Sequence, residues 1–275
     1  MGAQYALLAL GFTLIFGIVG VMNFAHGAFY ALGGYVAFAT AHYWGLPYPV
    51  AVLVAAVVTG VAGYLFELLF LERTINDGLA TLMLTLGLSM VMTTGFVLGF
   101  GPEAQEFQFP VASVLSYGGI FVPVANLIMI GVSLAIIGVV YLMMYRTGLG
   151  RALRALASDR MVASSLGLRA RLLFPLAFGI ATGLAGITGA LVTPILSLAP
   201  HIGESVLATS FIVVILGGLG SMWGATVAAF IVGLIEAYSS VYLGGSKGAL
   251  ALFVIVLVIL VVKPSGLFGR EVRGA

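Results

Sequence analysis

Apolar residues in this chain neither alternate nor recur every third or fourth position. They run on without interruption, and short polar clusters divide them. A helix needs about 20 such residues to cross a bilayer. Tyr5 to Met22 is the first run, and it stops at Asn23-Phe24-Ala25-His26-Gly27. Phe29 to Tyr43 follows and closes on Trp44-Gly45-Leu46-Pro47-Tyr48-Pro49, an aromatic and proline cluster suited to an interfacial turn. Val50 to Leu71, Leu79 to Phe100, Pro123 to Tyr145, Leu172 to Leu196 and Ala225 to Tyr242 are further spans. Ser205 to Leu216 and Ala249 to Val262 are shorter. The pattern predicts an all-α, polytopic transmembrane bundle of about eight or nine spans, with 1–275 as one domain. Whether 29–43 and 205–216 cross fully or are half-helices stays open. A broken helix is tolerated only where it lines a cavity or lies buried in protein.

Composition agrees with the pattern. Charged residues make up 7% of the chain, where a soluble domain carries roughly a quarter. Hydrophobic residues are 62%, and the mean hydropathy is +1.22. A membrane β-barrel would alternate polar and apolar positions over short segments, and these runs do not. Zero cysteines exclude disulfides, thiolate metal sites and a cysteine nucleophile. The first basic residue is Arg73, so Met1 to Phe24 lacks the positive leader of a signal peptide and is expected to remain in the mature protein.

Charge decides the orientation. Residues 146–171 hold Arg146, Arg151, Arg154, Arg160, Arg169 and Arg171, with Asp159 as the single acid. A basic loop between spans belongs in the cytoplasm. Alternating sides along the chain then places Arg73, this loop and the Arg270 and Arg273 tail inside, and Lys247 outside. The C-terminus is therefore expected in the cytoplasm of a multi-pass plasma (inner) membrane protein, and the N-terminus outside. Gly101 to Val122, with Pro102, Glu103, Glu106 and Pro110, reads as an outer loop holding a short interfacial piece. Within 151–168, Ala152, Leu153, Leu156, Val162, Ala163 and Leu166 form an apolar stripe at helical spacing. Two readings fit: a helix lying on anionic membrane lipid, or a helix docked on a cytoplasmic protein. The small residues Ala157, Ala163 and Gly167 favour docking.

Several chemistries are excluded. No G-x-x-x-x-G-K-[ST] occurs, so the chain has no P-loop to cradle a nucleotide. Gly218 to Gly224 spells G-x-G-x-x-x-G, one residue off a dinucleotide fingerprint and without its strand. There is no H-E-x-x-H, and His26, His42 and His201 lie far apart, so neither a catalytic nor a metal site is expected. Polar groups inside spans are the remaining candidates, because a charge at the bilayer centre costs about 3 kcal/mol on insertion scales. Glu236 lies within 225–242, either hydrogen-bonded to a neighbouring helix or on a pathway. Glu67 is expected at the interface near Arg73. Asn23 and His26 either cap a helix end or face a cavity. Gly95/Gly99, Gly179/Gly183 and Gly220/Gly224 have the spacing that lets helix backbones approach, read as packing within one bundle.

Four stretches carry a resemblance. They are Gly17 to Gly27 with Phe29, Tyr30, Gly33, Gly34 and Tyr35; Thr147 to Ala155 with Ala157, Asp159, Ala163 and Gly167; Gly217 to Gly224; and Lys263 to Gly269. In this order the chain resembles the branched-chain amino-acid ABC transporter permease family, and within it the smaller of the two permease subunits. Members usually carry ten or more residues before the stretch matching Gly2 to Tyr5, which makes a late start the expectation here. The resemblance implies a permease that is no enzyme and holds no cofactor. Its implied partners are a second, homologous permease, two cytoplasmic ATP-binding subunits and an extracytoplasmic binding protein, with no nucleic acid. The residues implied in ATPase coupling are Gly150, Arg151, Leu153, Arg154, Leu156, Ala157, Asp159, Arg160, Ala163 and Gly167. Leu153, Leu156 and Ala163 would face a groove on the ATPase, Arg154 and Arg160 its rim, and Gly167 would end the helix. Asn23, His26 and Glu236 are expected along the translocation pathway. A urea or short-amide importer remains open within this class, and a proton-coupled secondary transporter using Glu236 or Glu67 outside it.

Overall fold

The computed structural model describes residues 1–75, 77–111, 113–117, 120–263 and 265–269. The described residues form eleven α-helices, with a short 3-10 turn at Leu71–Arg73. They are α1 (Gly2–Val19), α2 (His26–His42), α3 (Tyr48–Leu69), α4 (Gly78–Phe100), α5 (Val124–Arg146), α6 (Gly148–Ser158), α7 (Arg160–Ser165), α8 (Ala170–Leu196), α9 (Ile202–Gly217), α10 (Met222–Leu243) and α11 (Gly245–Val262). Six apolar stretches are long enough to cross a membrane, those of α1, α3, α4, α5, α8 and α10; α9 and 250–262 are shorter apolar helices. The expected outer loop carries a feature that apolar runs could not reveal. Strands β1 (Val114–Tyr117) and β2 (Ile120–Pro123) pair antiparallel there, with Val114 opposite Pro123.

The longest helix, α8, is the spine. It packs against α1, α2 and α3 along its length, and against α5 and α6. Such packing requires small residues, since lipid tails give apolar side chains no incentive to leave them. A Cβ placed on Gly33 would overlap the backbone of Gly186, and one on Gly27 would overlap Gly203 of α9. Threonines along these seams return their hydroxyls to their own helix. Thr59, Thr182, Thr188 and Thr193 each donate to the carbonyl four residues earlier.

Between α1 and α2 the backbone leaves helix while still inside the bundle. Gly20 (φ 79°) closes α1 in the left-handed conformation, and Val21, Asn23 and Ala25 are buried. Each freed group then needs a partner. The Asn23 carboxamide oxygen accepts from the Ala25 N–H at 3.0 Å, and the Thr85 hydroxyl accepts from the Phe24 N–H at 3.3 Å. The α2 helix therefore starts within the bundle, and its opening residue His26 lies beside Leu8 of α1 rather than beside the end of α1.

Two ends can be told apart. At one, Arg171 pairs with Glu72 at 2.9 Å, α6 and α7 sit under the ends of α1, α5 and α8, and the chain after Lys263 returns to α9 through Leu267 N–H to Leu216 O at 2.7 Å. Every arginine of the described residues and Lys263 lie at this basic end. At the other end the Gln105 N–H donates to Leu198 O at 2.8 Å, tying the hairpin loop to the turn after α8. The Arg270 and Arg273 tail and Pro264 lie outside the described residues, as does the side chain of Lys247.

Candidate functional site

The basic stretch folds as two helices where one was expected, and the break has a local cause. Thr147 starts α6: its hydroxyl accepts from the Gly150 N–H at 3.1 Å and donates to Met143 O at 2.6 Å. Gly150 has no room for a side chain, because a Cβ would strike the carbonyls of Met143 and Met144. That closeness turns α6 back beneath α5. Asp159 is extended (φ −157°) and ends α6; its carboxylate then caps α7 by accepting from Met161 and Val162 N–H at 2.8 and 2.9 Å. An aspartate competes with helix in this way, favouring caps over interiors. Gly167 (φ 88°) closes α7 as expected, with its N–H on Ser164 O and the Leu168 N–H on Ala163 O. That pair of bonds is the Schellman arrangement.

The orientation of the stripe is a correction. Leu153, Leu156 and Ala163 are buried against this chain's own bundle, with Leu153 0% exposed. They anchor the unit and cannot face a groove on another protein. The outward surface includes Arg151, Ala157 and Arg160 together with Met161 and Leu166, which are 81% and 80% exposed, and Val162. Arg154 is half-buried, its guanidinium 4.9 Å from the Tyr145 ring centre, and Arg160 stands at the same distance from Phe174. Cation–π contacts of this kind hold an arginine in place while leaving its charge available. Arg154 also borders a crevice of about 660 Å³ between α1, α6 and the start of α10, with Thr13, Trp223 and Phe268 on its walls.

Inside the bundle the three expected pathway residues separate. Asn23 and His26 are fully buried, and neither lines the crevice at Arg154 or the second cavity described below. Asn23 makes the local bond to the Ala25 N–H described above. His26 Nε2 donates to the backbone oxygen of Leu8 at 3.2 Å, and Leu8 is a lining residue of the second cavity. Glu236 lines that cavity directly. About 170 Å³ of space lies between α1, α2, α8, α9 and α10, bordered by Gln4, Tyr5, Tyr30, Thr188 and Glu236. The hydroxyl of Tyr30 and Oε2 of Glu236 are buried with no hydrogen-bond partner among the described residues. Sequence reading passed over Tyr30, although a tyrosine in an apolar helix must place its hydroxyl somewhere.

Glu67 is a second correction. It is fully buried, and neither oxygen has a partner among the described residues. Its helix continues to Leu69 against α8, which turns Glu67 inward, and Glu72 takes the arginine partner instead. The glycine pairs also divide. Gly179 and Gly183 meet Gly60 and Tyr64 or Ala56 of α3, and Gly224 meets Gly217, whereas Gly95 and Gly99 meet no described atom within 4 Å.

Long apolar helices around a buried spine, with an arginine-rich two-helix unit at one end, define a multi-pass membrane protein. The family model described as "Branched-chain amino acid transport system / permease component" matches residues 1–263, and the chain belongs to that family. The high-affinity branched-chain amino acid transport system permease protein LivH of Escherichia coli K12 is 30% identical over 98% of this chain and 92% of its own. BraD of Pseudomonas aeruginosa, a permease protein of the same description, is 28% identical over 98% and 93%. LivM of Escherichia coli K12, also a permease protein of that system, is 26% identical over 96% of this chain and 67% of its own. No solved structure matches.

Proposed function

We propose that the chain is the transmembrane permease subunit of an ABC importer that moves branched-chain or related hydrophobic amino acids into the cytoplasm. ATP hydrolysis in partner subunits drives it. The observation that carries this reading, beyond family membership, is the α6–α7 unit. It is anchored by Leu153, Leu156 and Ala163 and presents Arg151, Ala157, Arg160, Met161, Val162 and Leu166 outward. A rigid, two-faced unit at the end of a bundle can convert a push from an ATPase into a tilt of α5 and α8. Gly150, Asp159 and Gly167 shape it, and Arg154 stands at its rim. The partners on this reading are a second permease, as the likeness to both LivH and LivM supports, two ATP-binding subunits and an extracytoplasmic binding protein.

The basic end is the cytoplasmic one on the positive-inside rule. The helices then alternate through nine crossings, from an outer N-terminus to a cytoplasmic C-terminus. In this count α2 is the broken crossing, begun inside the bundle, and Glu236 stands on the pathway.

The test is uptake by the assembled importer in proteoliposomes, with labelled leucine inside a competition series that includes isoleucine, valine and urea. ATP-dependent leucine uptake that isoleucine and valine compete, and urea does not, is the expected result. Urea uptake would move the chain to a short-amide importer. Uptake by this chain alone under a pH gradient would replace the reading with a proton-coupled transporter.

A further inference from the structure

Two polar atoms in the outer half of the bundle, Oε2 of Glu236 and the Tyr30 hydroxyl, lack partners among the described residues and border the same space, where the Tyr5 side chain also reaches Glu236. Glu236 sits in the middle of α10, where its carboxylate Oε2 is buried, and the hydroxyl of Tyr30 is equally enclosed on α2. The cavity between them is about 170 Å³, and Gln4 and Thr188 add two further polar walls. Tyr5, Ser205 and Thr209 are polar walls as well, and Leu8, Val192, Leu196, Ile202 and Val206 form an aliphatic side. A buried carboxylate or hydroxyl without a partner is costly. Families of native proteins keep few such groups, and each calls for a reason. Two on the walls of one cavity share one reason most simply: a ligand supplies what the protein does not.

The size and the walls specify the ligand. At roughly 30 Å³ per water, the space holds about five or six waters, well below the ~300 Å³ at which pockets for drug-sized molecules begin. A carboxylate takes a cation, tyrosine and glutamine can serve a carboxylate, and aliphatic walls take an aliphatic side chain. We infer that this cavity is a station on the cargo route that binds one aliphatic amino acid as its zwitterion, with the ammonium on Glu236, the carboxylate within reach of Tyr30 and Gln4, and the side chain against Val192 and Leu196. The inference rests on the importer reading above and adds to it a site within this chain. It gives Glu236 the role of a positioning counter-ion.

The test uses the assembled importer in detergent, with labelled leucine binding measured in the absence of the binding protein. Leucinamide, which keeps the ammonium, and 4-methylpentanoate, which lacks it, serve as competitors. Wild-type protein is expected to bind leucine, with leucinamide competing and 4-methylpentanoate failing to compete. Glu236→Gln is expected to weaken leucine binding about tenfold or more, the weight of one charge-assisted hydrogen bond. Tyr30→Phe is expected to weaken it severalfold while leaving the ammonium preference intact. Thr209→Trp, which fills the cavity from α9 and leaves Glu236 in place, is expected to abolish binding and decides the matter if Glu236→Gln fails to assemble. Unchanged leucine binding in Glu236→Gln or in Thr209→Trp overturns the station, as does equal competition by 4-methylpentanoate. Normal leucine uptake by such variants leaves the importer reading standing, whereas absent uptake by the wild type removes that reading itself.

Discussion

Helices α4 and α8 are nearly equal in mean hydropathy and opposite in fate. Their most apolar stretches have mean hydropathies of 1.8 and 1.7, yet 11% of the first and 83% of the second is buried. In water the more apolar helix goes inside; in lipid, hydropathy has nothing to choose between. What separates these two is complementarity. Gly179, Gly183, Gly186 and Gly189 of α8 each meet backbone or side chain of α2 or α3, whereas Gly87, Gly95 and Gly99 of α4 face open space among the described residues. Burial in this bundle therefore follows matched small residues on two helices, not the greasiness of either one.

The sharpest way to break this comparison is to enlarge a matched position. Gly186→Leu would drive a side chain into Thr59 of α3, and overpacking of that kind should cost more than about 3 kcal/mol. Thermal melting of the purified chain in detergent would show a large drop; an unchanged melting temperature would mean that α8 is not the spine. Gly167 tests a different demand. It has open space around it, but its φ of 88° disfavours any side chain by about 1–2 kcal/mol. Gly167→Trp should leave the permease inserted while separating ATP hydrolysis from transport, measured as the ratio of the two rates. Normal coupling in that variant would turn α6–α7 into a helix pair resting on lipid.

Arg171→Ala removes the pair with Glu72, whose side chains are 79% and 29% exposed. An exposed pair is worth about 0–1 kcal/mol and fades with salt, so a small change that disappears at high ionic strength is expected. Gly95→Leu should have the least effect, leaving the melting of the isolated chain where it was. A large loss there would show that α4 has a partner within this chain after all.

Much of this architecture can be read from residues alone, and what cannot has a common cause. Apolar runs gave the helix positions to within a few residues, as with 79–100 against Gly78–Phe100, because a span's length is set by the bilayer. Gly167 as a helix end was legible because glycine alone takes positive φ freely. The inward turn of Leu153 and Leu156 was not, since an apolar stripe looks the same whether it meets its own bundle or another protein. Glu67 escaped for a similar reason: its environment depends on α8, which lies far along the chain. The break at Asp159 was available locally, as an aspartate followed by a fresh apolar turn, and went unread because the stripe continued across it. Asn23 and His26 stood out as the place where a helix is interrupted, but polarity alone could not say which groups their side chains would meet.

The central place of α8 has a consequence for how the protein is made. The ribosome delivers α1 through α5 before the helix on which α1, α2 and α3 close exists. At about 5–20 residues per second, roughly 10 to 40 seconds of synthesis pass before residue 196 is added. During that interval the glycine seams of α2 and α3 stand unmatched in the membrane, and the unwound segment at 20–25 lacks much of the protein that later surrounds it. The nascent chain has to be shielded until its sixth apolar run arrives, so assembly of the first half is completed from the second.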